Sequence, residues 1–542
     1  MAAIITSKFR FHNAEAFMEG FTEAAGTNVY LGIGRPQPWT VDITPPTPAD
    51  DISSEFAYWD DMIALKRIQA SDISTAIARR NWTTGTIYDE YRDNYSSATP
   101  ATSGATSLYN ARFVVMTTDY QVYKCISNNN GAASTVNPTG IGTTIISTAD
   151  GYKWKYMYSI HPGEVLRFVT TDFIPVKTNA DIKSNAMPGA IHHGQVMSVG
   201  SGYPASSVSV PLFVNGDGTM VATGSVTAAV NGSGNITGTS SIGGSGYPAN
   251  QSELPVMFRQ VSPIGNGINE SAFGTARTTS AGVIDLVTIK IAGTGYSAGS
   301  VTLVLSSCRA LGTTDGTGRF TSMTVASGNE GAGFTYATVT PVTSAGSDAS
   351  LYAIISPKNG HGYDAVKELG GFFVMLNTRL EYNETDGTEA DFPVSNDYRR
   401  LVVVRDPYNY GTTTVATATT LDALRSISVL KTRTVGTFTA DEAIYGSVSG
   451  ATGRVVDFIT DPANSLNWLI KYHQTSAEKT IAFVTSDNIK GASSTAQTSG
   501  GSVTLNVPEV QADSGDIIYV EQRRPINRAS DQIEDIKLVV EF

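Results

Sequence analysis

The sequence predicts a mainly β protein, and three observations carry that prediction. Glycine accounts for 52 of 542 residues, above the usual ~7%. Thr, Ser and Val are abundant, which favours short strands joined by tight turns. A glycine–any residue–glycine–aromatic motif recurs along the middle of the chain. Hydrophobic content is 41% and charged content 16%, below the usual ~45–50% and ~25%. Aromatic and β-branched residues remain plentiful, so the composition is not that of a disordered chain. A chain of 542 residues exceeds one ordinary core and predicts several domains.

Residues 4–10 (IITSKFR) alternate as a strand would, and Asn13 is placed to cap a helix over 14–24. Val29 to Ile33 reads as a strand that stops at Gly34-Arg35-Pro36-Gln37-Pro38-Trp39, where two prolines forbid continuation. Ser53 to Ile68 carries the best helical stripe in the chain, through Phe56, Trp59, Ile63 and Ile68. Asp72 can cap a short element reaching Arg79-Arg80. Strands follow at Arg112–Thr117, Gln121–Ser127 and Tyr152–Ile160, the last entered through an Asp150-Gly151 turn.

Beyond residue 187 the character changes. Residues 194–350 hold 12 charged residues in 157, about 8%. The motif appears at Gly200-Ser201-Gly202-Tyr203, Gly244-Ser245-Gly246-Tyr247 and Gly293-Thr294-Gly295-Tyr296. It returns at Gly331-Ala332-Gly333-Phe334 and Gly360-His361-Gly362-Tyr363. Glycines supply positive φ, and the aromatic is expected to pack beneath the turn. Alternating runs such as Val208-Ser209-Val210 and Val301-Thr302-Leu303-Val304 follow. The aromatics stand 44, 49, 38 and 29 residues apart. That irregular spacing predicts a few small antiparallel modules and not a solenoid. Residues 365–407 return to core character, with a strong strand from Tyr398 to Val404. Phe438–Gly446, Gly453–Ile459 and Leu466–Tyr472 predict a second insert built as a small barrel. Ile517–Glu521 and Ile536–Phe542 close the chain as strands. The resulting layout is a core in 1–186, 365–424 and 509–542, with inserts at 187–364 and 425–508.

Net charge is −12, which argues against a general nucleic-acid binder. Cys125 and Cys308 lie far apart in unlike sequence, so a disulfide framework is not expected. No apolar run reaches the ~18 residues of a membrane span. The opening segment lacks the long apolar stretch of a secretory signal.

Catalytic constellations are hard to find. Of six histidines, only His192 and His193 are neighbours, and adjacent residues on a strand face opposite ways; a solvated turn explains them better than a metal. Neither a phosphate-binding loop nor a nucleophile elbow is present. The Gly-x-Gly pairs precede strands, so the dinucleotide reading fails on context. Asn215-Gly216-Asp217-Gly218 and Thr314-Asp315-Gly316-Thr317-Gly318 lack the spaced carboxylates of a calcium loop. Hairpin turns account for them. No catalytic, cofactor or metal residue is assigned. Arg79-Arg80 and Arg523-Arg524 are the basic pairs able to grip a partner's carboxylate; an internal ion pair is the alternative. Trp39 beside Arg35 in a Pro-rich loop has the makings of an interface anchor.

The two ends of the chain resemble the gene product eight family of baseplate wedge proteins of contractile-tailed phages. The resemblance rests on Ile5-Thr6-Ser7-Lys8-Phe9-Arg10, Gly34-Arg35 with Pro38-Trp39, and Arg79-Arg80-Asn81-Trp82. It continues through Val122-Tyr123-Lys124-Cys125 and Asp150-Gly151-Tyr152-Lys153-Trp154-Lys155-Tyr156. At the C-terminus it includes Tyr519-Val520-Glu521-Gln522-Arg523-Arg524-Pro525-Ile526 and Asp531-Gln532. It implies a layered β-sandwich core with helix-bearing loops, a homodimer, contacts with other wedge subunits, and a place in the virion baseplate after assembly in the host cytoplasm. It also implies no enzymatic activity. The two inserts have no counterpart there.

Two readings of function follow. In the first, the chain is a structural wedge subunit that transmits the contraction trigger, with Arg35, Trp39, Arg79, Arg80, Arg523 and Arg524 at subunit interfaces. In the second, the inserts grip a host-surface glycan through exposed aromatics. Burial of Tyr203, Tyr247 and Tyr296 beneath their turns would make the repeat structural, with Phe334 and Tyr363 as further turn aromatics of it. A cell-envelope hydrolase would need a carboxylate pair in a cleft, and the sequence offers no candidate.

Overall fold

Strand Val29–Gly34 is buried along its whole length, because it lies inside a five-stranded sheet and has core on both faces. The sheet order is Ala423–Arg425, Met62–Arg67, Val29–Gly34, Asp397–Arg405, Asp516–Asn527, all antiparallel. Alternation sorts its side chains. Val29, Leu31, Ile33, Leu401 and Val403 share one core with Val374, Leu376, Ile536 and Leu538 of a second sheet. Tyr30, Leu65, Val402 and Val404 fill a second core on the opposite face with Trp59. In the second sheet, Phe373–Leu380 pairs with Ile73–Ala78 and Glu534–Glu541. Two facing sheets over one apolar layer make a β-sandwich. The computed structural model describes residues 4–23, 26–205, 209–261, 267–380, 392, 397–417, 422–499, 503–529 and 533–542. Val208, Asp531 and Gln532 lie outside them.

The chain forms two units: 1–76, 166–168 and 372–542 in the first; 77–165 and 169–371 in the second. The first holds the sandwich and an eight-stranded sheet running from Ser428 to Asn506. In that sheet Ser428–Thr432 lies next to one end and Thr434–Val435 forms the other. Only Arg433 separates them in sequence, so the sheet curls round on itself. Arg425 and Glu509 close its base, with Glu509 N–H donating to Arg425 O at 2.9 Å.

The second unit contains a four-stranded sheet (Val114–Met116, Gln121–Ser127, Lys153–Ser159, Ile146–Ser147) and two six-stranded antiparallel sheets. The outer module runs in order Ala337–Pro341, Ser209–Gly216, Cys308–Thr314, Phe320–Glu330, Ile191–Ser201, Ser347–Ile355. The nested module, Met220 to Ser306, interrupts it between two strands. Its order is Ile236–Gly243, Met220–Val230, Gly299–Ser306, Leu254–Val261, Ile268–Thr278, Ile284–Ile291. In each module the two end strands also lie against one another, so both curl toward barrels.

Several local expectations are corrected. Residues 7–10 are helical, within Ser7–Glu19, and Asn13 is internal to that helix. Its apolar face packs on aromatics distant in sequence: Phe17 lies 5.2 Å from Phe542, and Phe11 5.8 Å from Phe372. The segment 53–68 is not one helix. Asp51 caps Ile52–Asp60 by accepting from Ser54 N–H, and Met62–Arg67 follows as a strand. Met62, Ile63, Ala64 and Leu65 are all buried, so burial on both faces produced a run that imitated a helical stripe. The element after Asp72 is strand Ile73–Ala78, entered through a 3₁₀ turn at Ala70–Asp72.

Candidate functional site

The glycine–aromatic motif is a structural device. Tyr203, Tyr247, Tyr296 and Phe334 are 8%, 5%, 4% and 2% exposed. Each aromatic donates its backbone N–H to a glycine carbonyl of another turn: Tyr203 to Gly318, Tyr247 to Gly282, Tyr296 to Gly234 and Phe334 to Gly189, at 2.9–3.2 Å. All four acceptor glycines have positive φ. Three of their turns share one side-chain cap. Asn231, Thr279 and Asp315 each accept from the N–H groups two and four residues on. Each motif also joins strands three places apart in its sheet. Tyr363 departs from this pattern. It is 40% exposed, and His361 of the same motif is buried instead.

The calcium-like loops are turns as well. Asp315 accepts within its own turn, and Asp217 accepts from Thr335 N–H at 2.8 Å. No group of three metal-ligating side chains occurs among the described residues. No helix there is long and apolar enough to cross a membrane. Cys125 and Cys308 are buried free thiols. Burial raises both above the ordinary thiol range, Cys308 to about 12, which removes nucleophilic thiolate at neutral pH.

The basic candidates separate. Arg35 is 4% exposed and pairs with Asp397 at 3.0 Å and with Asp441. Arg79 is half-buried and donates to Thr170 O at 2.6 Å. Arg80 is half-buried, and burial lowers its pKa, with Arg112 adding to that. Trp39 donates its indole N–H to Arg523 O at 2.8 Å. Arg523 pairs with Glu521 at 2.6 Å. Arg524 is exposed and donates to Ile43 O. The structure thus brings together Trp39, Arg523 and Arg524 around the loop 39–43. It places Arg35 in a buried ion-pair network.

Sequence reasoning missed a buried charge cluster in the second unit. His192 and His193 lie on strand Ile191–Ser201, which corrects the solvated-turn reading. His193 Nε2 meets Glu90 at 3.1 Å, while the His192 ring lies 5.4 Å from that of His361. Lys124, fully buried, donates to Glu368 and to His361 Nδ1, both at 2.9 Å. Burial, then neighbouring His193 and lysines, pushes His192 down to about 3. Lys124 and Lys155 are direct cross-strand partners within the family-like segments 122–125 and 150–156, so the signal was the unusual presence of lysines inside buried strands.

The site is thus a β-rich scaffold with buried thiols and mostly internally bonded arginines. The comparisons show what the chain is similar to. Residues 3–140 and 127–193 match the family described as bacteriophage T4 Gp8. The baseplate wedge protein gp8 of Enterobacteria phage T4 is 24% identical over 215 residues, covering 34% of this chain and 63% of that protein. Across residues 3–193 this chain is similar to the gp8 family. It spans just under two thirds of the relative's length.

Proposed function

We propose that this chain is a structural subunit of a phage tail baseplate wedge, placed in the virion and assembled in the host cytoplasm. The match of residues 3–193 to the gp8 family carries the reading. Its mechanism is mechanical: closely registered sheets move as rigid bodies and pass displacement to neighbours during the contraction trigger. Partners are other wedge subunits and a second copy of the chain. Of the arginine and tryptophan candidates, Arg524 with its neighbours Trp39 and Arg523 is best exposed for such contacts.

The inserts are proposed as later modules on a gp8-like core. Their ends meet, as insertion requires. Ser356 N–H donates to Ala190 O at 2.9 Å, as Glu509 does to Arg425 at the second insert. Burial of four repeat aromatics takes away the main support of a glycan-binding reading.

The test is suppression of this chain's synthesis in infected cells. Lysates should contain heads but no complete contractile tails by electron microscopy. Normal virions would sink the proposal. Light scattering of the purified chain should give a dimer, and a clean monomer at micromolar concentration would refute that part.

A further inference from the structure

The second unit holds a cavity of about 580 Å³ that no family role explains. It is lined in part by Lys155, His192, His361, Ser307, Thr219 and Glu330. Its volume falls within the ~300–1,000 Å³ of small-molecule sites.

The lysines around it are unevenly paired. Lys124 is fully buried and Lys155 is 5% exposed; Lys153 is half-buried. Near these three lysines stand the carboxylates Glu368 and Glu330, and Glu90, which is paired with His193 at 3.1 Å. Glu368 meets Lys124 at 2.9 Å, and Glu330 is the carboxylate that acts on Lys153. Lys153 Nζ donates to His192 O and Val325 O, and Lys155 Nζ to Thr143 O. Carbonyls satisfy protons but do not neutralise charge. Lys155 therefore lies on the wall of a half-open cavity with a carbonyl and no carboxylate in hydrogen-bond contact. Buried charge is costly without a counter-charge.

The cavity wall also presents hydrogen-bond donors. An ammonium has no acceptor, so the Lys124 contact fixes His361 Nδ1 as the acceptor and leaves the proton on Nε2. Ser307 Oγ, on the same wall, is buried without a hydrogen-bond partner. Lys155 has donor capacity beyond its bond to Thr143.

We infer that this cavity binds a small oxyanion of the phosphate class, held by Lys155, the His361 imidazole N–H and the Ser307 hydroxyl. The fifth glycine motif then has a role distinct from its four counterparts. It turns His361 inward to the ligand and leaves Tyr363 outside.

The test is calorimetric titration of the full chain at pH 7 and constant ionic strength. The probes are inorganic phosphate and glycerol phosphate, with chloride as control. Saturable binding by one of them is expected, and the tighter probe identifies a free anion or an organic phosphate as the source. Lys155→Met should weaken binding roughly tenfold or more, the scale of a charged hydrogen bond. Lys155→Arg should recover most of it. Ser307→Ala, which leaves the lysines in place, should weaken binding about threefold and keeps the test open if Lys155→Met does not fold. Absence of saturable binding by both probes overturns the proposal. Equal affinity in a folded Lys155→Met or Ser307→Ala variant overturns the assignment of that residue.

Discussion

A methyl group on Gly234 would lie 2.6 Å from Gly295 N and 3.0 Å from Tyr296 N, at a residue whose φ is +74°. Clash and left-handed backbone both oppose it. Gly234→Ala is expected to destabilise the nested module by about 1–3 kcal/mol, read by urea unfolding. At Tyr296, the hydroxyl donates to Phe258 O at 2.7 Å and accepts from Ala272 N–H at 2.9 Å. It thereby ties two strands. Tyr296→Phe leaves both groups buried and unpaired, at a cost of about 1–3 kcal/mol. Hydrogen exchange at the Ala272 amide should quicken, and unchanged protection would show that the bridge is dispensable.

At the scale of elements, buried charge joins a strand to a helix. Lys124 on Gln121–Ser127 reaches Glu368 on helix Ala365–Leu369. Lys124→Met leaves Glu368 buried without its cation and should cost about 3–5 kcal/mol. Adding Glu368→Leu should restore much of that loss, measured by a double-mutant cycle. Acid acts on the same place. His192 and His361 are held neutral below the usual ~6.5 of imidazole, first by burial and then by surrounding cations. Groups facing them are Lys124, Lys153, Lys155, His193, Glu330 and Glu368. The unfolded chain binds protons at these histidines as pH falls below ~6.5, and the folded chain does not. Stability is therefore full above that pH. It declines toward pH 3 for His192, by at most ~1.4 kcal/mol per pH unit for each histidine. Unfolding free energies between pH 7 and 5 test this. His192→Gln should flatten the slope.

For the whole molecule, modularity is the property to probe. Ser307 N–H donates to Thr219 O at 3.1 Å, so the nested module enters and leaves its host at one point. Replacing 220–306 with an Asn-Gly turn should leave a folded chain, because a two-residue turn suits adjacent antiparallel strands. Phe213 and Val342, which pack against Met257 and Val304 of the nested module, would become exposed. A modest loss of solubility is expected with secondary structure retained. Loss of cooperative unfolding by circular dichroism would mean that the nested module is part of its host's core.

The sequence by itself determined the β class, the strands with strong alternation or burial, and the glycine motif. Gln121–Ser127 was read with its observed bounds, because β-branched and aromatic residues there meet clear turn signals. The gp8-like segments within residues 3–193 were legible because short motifs occur there in order. Tertiary structure decided what local pattern could not. Residues 7–10 are helical because distant Phe372 and Phe542 supply the apolar surface. Met62–Arg67 is a strand because its sheet neighbours take its backbone hydrogen bonds and a core on each face buries its side chains. The charge cluster was invisible for the same reason. Lys124, His361 and Glu368 gain their chemistry from burial and from one another, and neither is written in the spacing of residues along the chain.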